Sequence, residues 1–229
     1  GSTGSIGQSA LAVIKTHPEH CRIVGLAAKS NIEKLYRQIE EFHPKMVCVY
    51  EELSARALRR KLGKTKVKMV TGEAGLKEVA QISEVDTVLC GAVGARGLSA
   101  IFSAIESGKD VGIANKEPLV MAGDLIMRKA KKRRVRVLPI DSEHSAIWQC
   151  LHGQNGRAQI EVKRLILTAS GGPFFGKKKG ELAHVTPSEA INHPRWRMGK
   201  KISVDSATLM NKGLEIKEAH HLFGVPIEK

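Results

Sequence analysis

With 229 residues the chain is long enough for one complete domain and part of another, and 42% apolar with 26% charged residues is the balance of an ordinary soluble globular protein. A net charge of +14 raises both polyanions and phosphorylated small molecules as partners, while two Trp, two Tyr and five Phe give few stacking platforms for single-stranded nucleic acid. No apolar run approaches the roughly 18 residues of a membrane span, no signal peptide opens the chain, and Cys21, Cys48, Cys90 and Cys150 form no C-x-x-C pair, which argues against a zinc knuckle or redox motif and for reduced, mostly buried thiols in a cytosolic protein.

The chain opens on Gly1-Ser2-Thr3-Gly4-Ser5-Ile6-Gly7, with a helix-like run over 9–15 directly behind it. Short β-rich runs then alternate with helical periodicity. Strands are predicted over 21–26, 45–50, 67–70, 86–90, 111–114 and 135–138, and helices over 32–42, 51–62, 97–107 (stopping at Gly108) and 118–132. This alternation predicts an α/β fold: a Rossmann-like, doubly wound, mostly parallel sheet with helices on both faces. After about Leu151 the rhythm changes. One longer strand is expected over 160–168, then a Gly/Lys-rich stretch over 171–180, a polar loop from His193 to Gly199, and a helix over 205–222. The domain boundary is placed near Ile140, so that the alternating region 1–140 is one domain and 141–229 belongs to a second.

Gly1, Gly4 and Gly7 form G-x-x-G-x-x-G before a helix, the pattern that lets backbone N–H groups approach a pyrophosphate. An NAD site places an acid about 20 residues beyond such a loop. Here the chain reads Ala28-Lys29-Ser30-Asn31, a cation with hydroxyl and amide donors, which suits the 2′-phosphate of NADP. A solvated strand-end turn is the plain alternative for Lys29.

Asp141-Ser142-Glu143-His144 follows a strand directly. Read as extended, it points Asp141 and Glu143 the same way, beyond the strand's carboxyl end where such sheets bind ligands. Glu215 lies on a later helix with Asn211 four residues before it on the same face. Three carboxylates without Cys suit Mg²⁺ or Mn²⁺ rather than zinc. A helix N-cap Asp141 followed by solvated acids is the competing reading of the first pair. Ser170-Gly171-Gly172, at a strand end, and Ser203 to Ser206 with Asn211-Lys212, at a helix start, supply the hydroxyls, amide and ammonium of a phosphate pocket.

These strings, together with Ala114-Asn115-Lys116-Glu117, His193-Pro194, Trp196, Met198 and Gly199, resemble the 1-deoxy-D-xylulose 5-phosphate reductoisomerase family along the whole chain and in the family's order. The resemblance implies rearrangement of a phosphorylated sugar, then reduction by NADPH, on the methylerythritol phosphate route to isoprenoid precursors. It implies Asp141, Glu143 and Glu215 as metal ligands; Ser170, Ser206, Asn211 and Lys212 as the phosphate pocket; and Lys116, Ser142, Glu143 and His193 as further substrate contacts, with Lys116, Glu143 and His193 catalytic. Thr3, Gly4, Ser5, Ile6, Asn31, Asn115, Glu117 and Gly199 fall to NADPH, to which the turn reading adds Lys29 and Ser30, and Trp196 (substrate) and Met198 (cofactor) fall to a flap that closes over substrate and nicotinamide. The chain departs from the family pattern at Lys29 (usually Gly), Pro118 (commonly Ser) and Phe175 (frequently Arg).

The resemblance further implies a cytoplasmic or plastid-stromal homodimer that binds neither nucleic acid nor membrane. Because the chain starts inside the glycine loop and stops soon after Glu215, this 229-residue piece alone is expected to be poorly soluble or monomeric and essentially inactive. Three rivals remain: a nucleic-acid binder built on Lys131-Lys132-Arg133-Arg134, another NADP-linked enzyme with Cys150 as nucleophile, and a fragment that only binds NADPH.

Overall fold

A computed structural model describes residues 1–151, 162–195 and 198–229. They form two compact units, Gly1–Pro118 with Asp124–Ile140, and Leu119–Gly123 with Asp141–Lys229.

In the first unit β1 (Gly25–Ala28), β2 (Met46–Val49) and β3 (Lys68–Thr71) make one parallel sheet, and β4 (Thr87–Cys90), β5 (Asp110–Ile113) and β6 (Val137–Pro139) make another. The registers set Gly25 against Met46, Met46 against Lys68, Thr87 against Asp110 and Val111 against Val137. The expected single sheet is therefore two sheets of three strands, because no strand among the described residues joins β1 to β4. A cavity of about 620 Å³ takes that place, lined by Gly25, Leu26 and Ala27 on one side and Thr87 to Cys90 on the other. The Gly1 ammonium and the Ser2 N–H both donate to the Ala27 carbonyl, at 2.7 and 2.9 Å, and so satisfy one acceptor on the open edge of β1.

Parallel strands need crossover connections, supplied by α1 (Ser5–Thr16), α2 (Ile32–Phe42), α3 (Glu52–Leu62), α4 (Gly72–Ala80), α5 (Leu98–Glu106) and α6 (Lys116–Arg133). The expected helix over 32–42 matches α2 in both ends. Asn31 caps it by accepting from the Lys34 N–H, and Leu35 and Ile39 fall on one face, buried with Val47, Val49 and Leu58. Burying each of these two side chains is worth about 1.5–3 kcal/mol. The strand expected over 21–26 starts later, because Val24 only accepts backbone bonds from Lys45 and Met46 at the ladder's entrance. The helix α4 has no counterpart in the sequence reading. It starts on Gly72 and contains Gly75, both poor helix formers; a Cβ at Gly75 would sit 3.0 Å from Val70 and 3.1 Å from Cys48 Sγ, so close packing requires the glycine.

The second unit contains α7 (Ser142–Leu151), α8 (Lys179–Leu182), α9 (Pro187–Ile191), α10 (Lys200–Ala207) and α11 (Met210–Phe223). Three expectations are corrected here. The segment 141–143 is not extended: Asp141 precedes α7 and Glu143 lies in its first turn, with Ser145 N–H bonded to the Asp141 carbonyl at 2.8 Å. The strand over 160–168 is not a strand in its described part, 162–168, where one backbone bond, Leu165 N–H to the Lys229 carbonyl at 2.8 Å, is the sole strand-like contact; residues 160 and 161 lie outside the described residues. The single helix over 205–222 is the end of α10 and the whole of α11, broken at Leu209, whose φ of +60° no continuous helix accepts.

Among the described residues no helix is long and apolar enough to cross a membrane. Cys48 and Cys90 are buried, Cys21 and Cys150 exposed. Cys150 sits at the C-terminal end of α7 rather than at the electropositive helix start that activates a thiol, which removes the basis for a cysteine nucleophile.

Candidate metal and phosphate site

The glycine loop of the first unit is built from backbone. Gly7 tucks under the loop so tightly that a Cβ would lie 2.4 Å from Ser2 Cα, and one at Gly1 would lie 2.6 Å from the Gly91 carbonyl. Gly4 is the N-cap of α1 and offers no side-chain cap; the first helical bond is Gln8 N–H to the Gly4 carbonyl. Thr3 is half-buried, Gly4, Ser5 and Ile6 are exposed, and the Gly4 N–H donates to the Gly1 carbonyl at 3.1 Å. Beyond β1, the Lys29 ammonium pairs with Glu51 at 3.1 Å, Ser30 is exposed and Asn31 caps α2. Asn115 is the N-cap of α6, Lys116 is buried in its first turn and Glu117 is half-buried beside it.

In the second unit Asp141, Glu143 and Glu215 bring one carboxylate oxygen each within 4.8 Å of the others. The first two stand at the start of α7 and the third on α11, where it is 1% exposed. Ser142 Oγ donates to Glu143 at 2.7 Å. Asn211 Nδ2 donates to Glu215 at 2.5 Å across one helical turn. The Lys212 ammonium bonds to Glu143 at 3.2 Å and also to Glu215 and to the Thr168 carbonyl. Burial works against the charge on Glu143, but the Ser142 hydroxyl, its own backbone N–H and Lys212 outweigh burial and Asp141, so its pKa lies below the usual carboxylate value.

A second group, Asp141, His144 and Glu218, adjoins the first and was not singled out from the sequence. His144 is fully buried; its Nε2 donates to the Glu215 carbonyl at 2.9 Å, and its Nδ1 faces Asp141 at 3.4 Å and Glu218 at 3.5 Å. Burial opposes a charge on this ring, yet the Asp141 hydrogen bond, the Glu218 charge and the Glu215 carbonyl prevail and raise its pKa. The available signal was the i, i+3 spacing of Glu215 and Glu218 on one helix face. The residues fit a hard divalent cation. Four carboxylates face one ammonium and one imidazole, an excess of negative charge that buried groups tolerate only against a cation, and the Lys212 ammonium already stands between two of the acids.

The loop Ser170-Gly171-Gly172 lies against the end of α10. Gly172 has φ +70°, and a Cβ there would meet the Ser206 carbonyl oxygen at 2.8 Å, so the chain brings Ser170 and Ser206 onto adjoining backbone. Phe175 is 82% exposed, its ring edge against Gly171. Ser170 Oγ lies 2.9 Å from Nε2 of His193, which is buried. Met198 is half-buried, and Gly199 is the exposed N-cap of α10. Trp196 lies outside the described residues. Ser203, named with the helix start, is instead inside α10, bonded to the Gly199 carbonyl.

The model of the 1-deoxy-D-xylulose 5-phosphate reductoisomerase family matches residues 1–123, and that of the 1-deoxy-D-xylulose 5-phosphate reductoisomerase C-terminal domain matches 137–223. Reductoisomerases of Thermoanaerobacter sp. (strain X514) and Thermodesulfovibrio yellowstonii are 52% and 48% identical over 229 and 228 residues, all of this chain but 59% and 58% of theirs. A solved reductoisomerase in complex with NADPH, fosmidomycin and magnesium superposes with a TM-score of 0.93 at 45% identity, and one from Zymomonas mobilis in complex with NADPH with 0.90 at 39%; both cover 100% of this chain and 58% of the other. The chain thus spans less than two thirds of the length of these relatives, and it belongs to the 1-deoxy-D-xylulose 5-phosphate reductoisomerase family.

Proposed function

We propose that the full-length protein rearranges 1-deoxy-D-xylulose 5-phosphate and reduces it to 2-C-methyl-D-erythritol 4-phosphate, a step toward isoprenoid precursors. The observation that carries this reading is the convergence of Asp141, Glu143 and Glu215 around the Lys212 ammonium, with Lys212 also tied to the loop that leads to Ser170. When bound, NADPH would supply the hydride, and Mg²⁺ or Mn²⁺, which Asp141, Glu143 and Glu215 would hold, would supply a Lewis acid.

The chain's own groups bind and orient. Ser170, Ser206, Asn211 and Lys212 hold the phosphate, and Lys116, Ser142, Glu143 and His193 hold the carbon skeleton. The loop residues Thr3, Gly4, Ser5 and Ile6 hold the cofactor pyrophosphate; Asn31, Ser30 and Lys29, released from Glu51, hold its 2′-phosphate, and Asn115, Glu117 and Gly199 complete its site. Trp196 and Met198 close over the reactants and exclude water. Residues 1–140 are then the NADPH domain and 141–229 the beginning of the catalytic domain. The full-length chain acts as a homodimer in the cytoplasm, or in the plastid stroma of a eukaryote.

The test is NADPH oxidation by the full-length chain with 1-deoxy-D-xylulose 5-phosphate and Mn²⁺. Turnover that chelator abolishes, with NADPH preferred to NADH, is expected. Absence of turnover, or full turnover in excess chelator, overturns the proposal.

A further inference from the structure

The turn that leaves α1 holds four side chains of ligand type within five residues: His17, Glu19, His20 and Cys21. His17 is the C-cap of α1, and its carbonyl accepts from the His20 N–H at 3.1 Å and from the Cys21 N–H at 3.3 Å. Two turns are thus closed on one acceptor, over Pro18 and Glu19. Side chains three and four residues apart in so compact a turn are neighbours. Their contacts bear this out: one oxygen of Glu19 lies 3.7 Å from His17 Nδ1 and 3.5 Å from His20 Nε2, and the two rings stand 6.5 Å apart between centroids. Among the described residues no Lys or Arg pairs with Glu19; Lys15 is taken by Glu41 at 2.6 Å, and Arg22 acts on Glu84. The Cys21 thiol is free and exposed.

We propose that His17, Glu19, His20 and Cys21 form a binding site for a borderline-soft transition ion of the Zn²⁺ class, separate from the acid cluster of the second unit. Two imidazoles and a thiolate select such an ion over Mg²⁺ or Mn²⁺, which prefer oxygen, and four donors complete the tetrahedron of a structural site. The missing C-x-x-C pair does not speak against it, because imidazoles take the place of the further thiols of a zinc knuckle. Binding is a ligand substitution without electron transfer: the ion loses water, and Cys21 binds as the thiolate after giving its proton to solvent.

The turn lies away from the candidate cofactor loop. α1 has 12 residues, so at about 1.5 Å per residue the glycine loop at its start and this turn at its end are about 18 Å apart. The site closes on binding. Nitrogens about 2.0–2.1 Å from a tetrahedral ion lie roughly 3.3 Å from each other, so the rings swing toward the Glu19 oxygen that both already face. Exposed side chains do so at little cost: His17, Glu19 and His20 keep 59%, 58% and 76% of their side-chain surface in solvent. The ion would tie the end of α1 to the segment that enters β1, where Val24 accepts from Lys45 and Met46. It would stabilise this connection as any ligand that binds only the folded state does.

The experiment uses the full-length chain, kept reduced, with Co²⁺ as the probe. Glu215→Gln serves as the background, so that the acid cluster contributes as little as possible. Titration should give a thiolate-to-cobalt charge-transfer band and the intense visible bands of a tetrahedral ion, saturating at one ion per chain. Cys21→Ser should remove the charge-transfer band, and His17→Ala with His20→Ala should weaken Co²⁺ binding at least about tenfold. Cys150→Ser, at the other exposed thiol, should change neither. Zn²⁺ should displace the probe, and an excess of Mg²⁺ of about a thousandfold should not. Absence of the charge-transfer band, its persistence in Cys21→Ser, its loss in Cys150→Ser or its displacement by Mg²⁺ overturns the inference. The side chains of the turn are exposed, so far-ultraviolet circular dichroism should be the same in every variant, and Cys21→Ala replaces Cys21→Ser should the latter alter it. In the wild type, Zn²⁺ should slow alkylation of Cys21 at least about tenfold without slowing that of Cys150; equal rates at Cys21 with and without Zn²⁺ likewise overturn the inference. None of these outcomes reads turnover, so they stand whether or not the proposed function survives its own test.

Discussion

The two units bury different chemistry. In the first, aliphatic side chains such as Leu35, Val47, Leu58, Ile101, Ile105, Ile113 and Ile126 dominate the interior, and the buried polar residues Ser2, Gln38, Ser103, Lys109 and Lys116 include no carboxylate. Its candidate site is made of backbone, with glycines admitting the loop against Ser2 and Gly91 and an uncapped helix start. In the second, described residues 141–229 bury only Ile147, Ala219 and Val225 among apolar side chains, against His144, His193, Ser203, Glu215 and Glu218. A pyrophosphate is bound by N–H groups that every residue carries, so the core behind it stays apolar. A cation and a substrate phosphate need charged side chains, and these are tolerable in the interior only where they compensate one another. The second unit is organised by charge where the first is organised by packing, so equal changes in the two units should fail in different ways.

The largest expected effect is in the charged unit. Glu215→Gln keeps the shape of α11 but removes one charge from the acid cluster, and turnover of the full-length chain should fall at least about a hundredfold, the scale of a few kcal/mol of lost charge stabilisation. Metal titration followed by NADPH oxidation measures it. Near-normal turnover in this variant would show that the cluster is not the metal site and would dissolve the contrast.

Next is Lys212→Ala. It removes the cation between Glu143 and Glu215 and with it the proposed phosphate donor. KM for the sugar phosphate should rise more than tenfold, as for a lost charge-assisted bond, while the dissociation constant of NADPH, measured by fluorescence quenching, stays within about twofold, since the proposal gives the pyrophosphate its own loop. A parallel loss of NADPH affinity would mean that the units do not divide the ligands as proposed.

The mirror experiment is Gly7→Ala. Its Cβ would stand 2.4 Å from Ser2 Cα and 2.5 Å from the Gly1 carbonyl, both backbone atoms that yield little. Overpacking of this kind costs about 1–3 kcal/mol. NADPH binding should weaken by about tenfold with divalent-metal affinity unchanged, and calorimetry of each ligand separately would expose any leakage between the two.

What the sequence made legible follows the same division. The alternation of the first unit is readable because each element carries local signals: Asn31 as cap, Gly63 and Gly108 at φ +57° and +74° as stops, and a period of apolar residues between them. The places where it fails there are Gly72 and Gly75, where close packing overrides propensity. In the second unit α8 and α9 have 4 and 5 residues and no buried residue, so no periodicity exists to be read, and α11 buries Glu215 and Glu218, so its inner face looks polar. The helix break at Leu209 has no glycine to announce it. Asp141, Glu143 and Glu215 are found together by residue type, and of the two readings weighed for the first pair it is the helix start, not the extended strand, that places Asp141 and Glu143. The roles of His144 and Glu218 depend on burial, which sequence does not print.

The smallest expected effect tests the packed unit through the ion pair between Asp110 and Arg136. Asp110, 20% exposed, accepts the Arg136 backbone N–H at 2.6 Å and the guanidinium at 2.7 Å through Nε and 2.6 Å through Nη2, tying the start of β5 to the entry of β6. Burial raises its pKa, but the bonds and charge of Arg136 outweigh burial, and the net shift is downward. A carboxylate whose folded pKa is depressed stabilises the fold above its unfolded pKa of about 3.9, and that stability is lost as pH falls through the lower folded value. Because Arg136 is 73% exposed, solvent screens the pair, and Asp110→Asn should cost only about 1 kcal/mol at pH 7. In denaturant melts the difference between wild type and variant should stay constant down to about pH 5 and shrink below pH 4. A difference that persists unchanged at pH 2 would assign the effect to packing of the side chain rather than to its charge, and would make even this pair an example of how the first unit is held together.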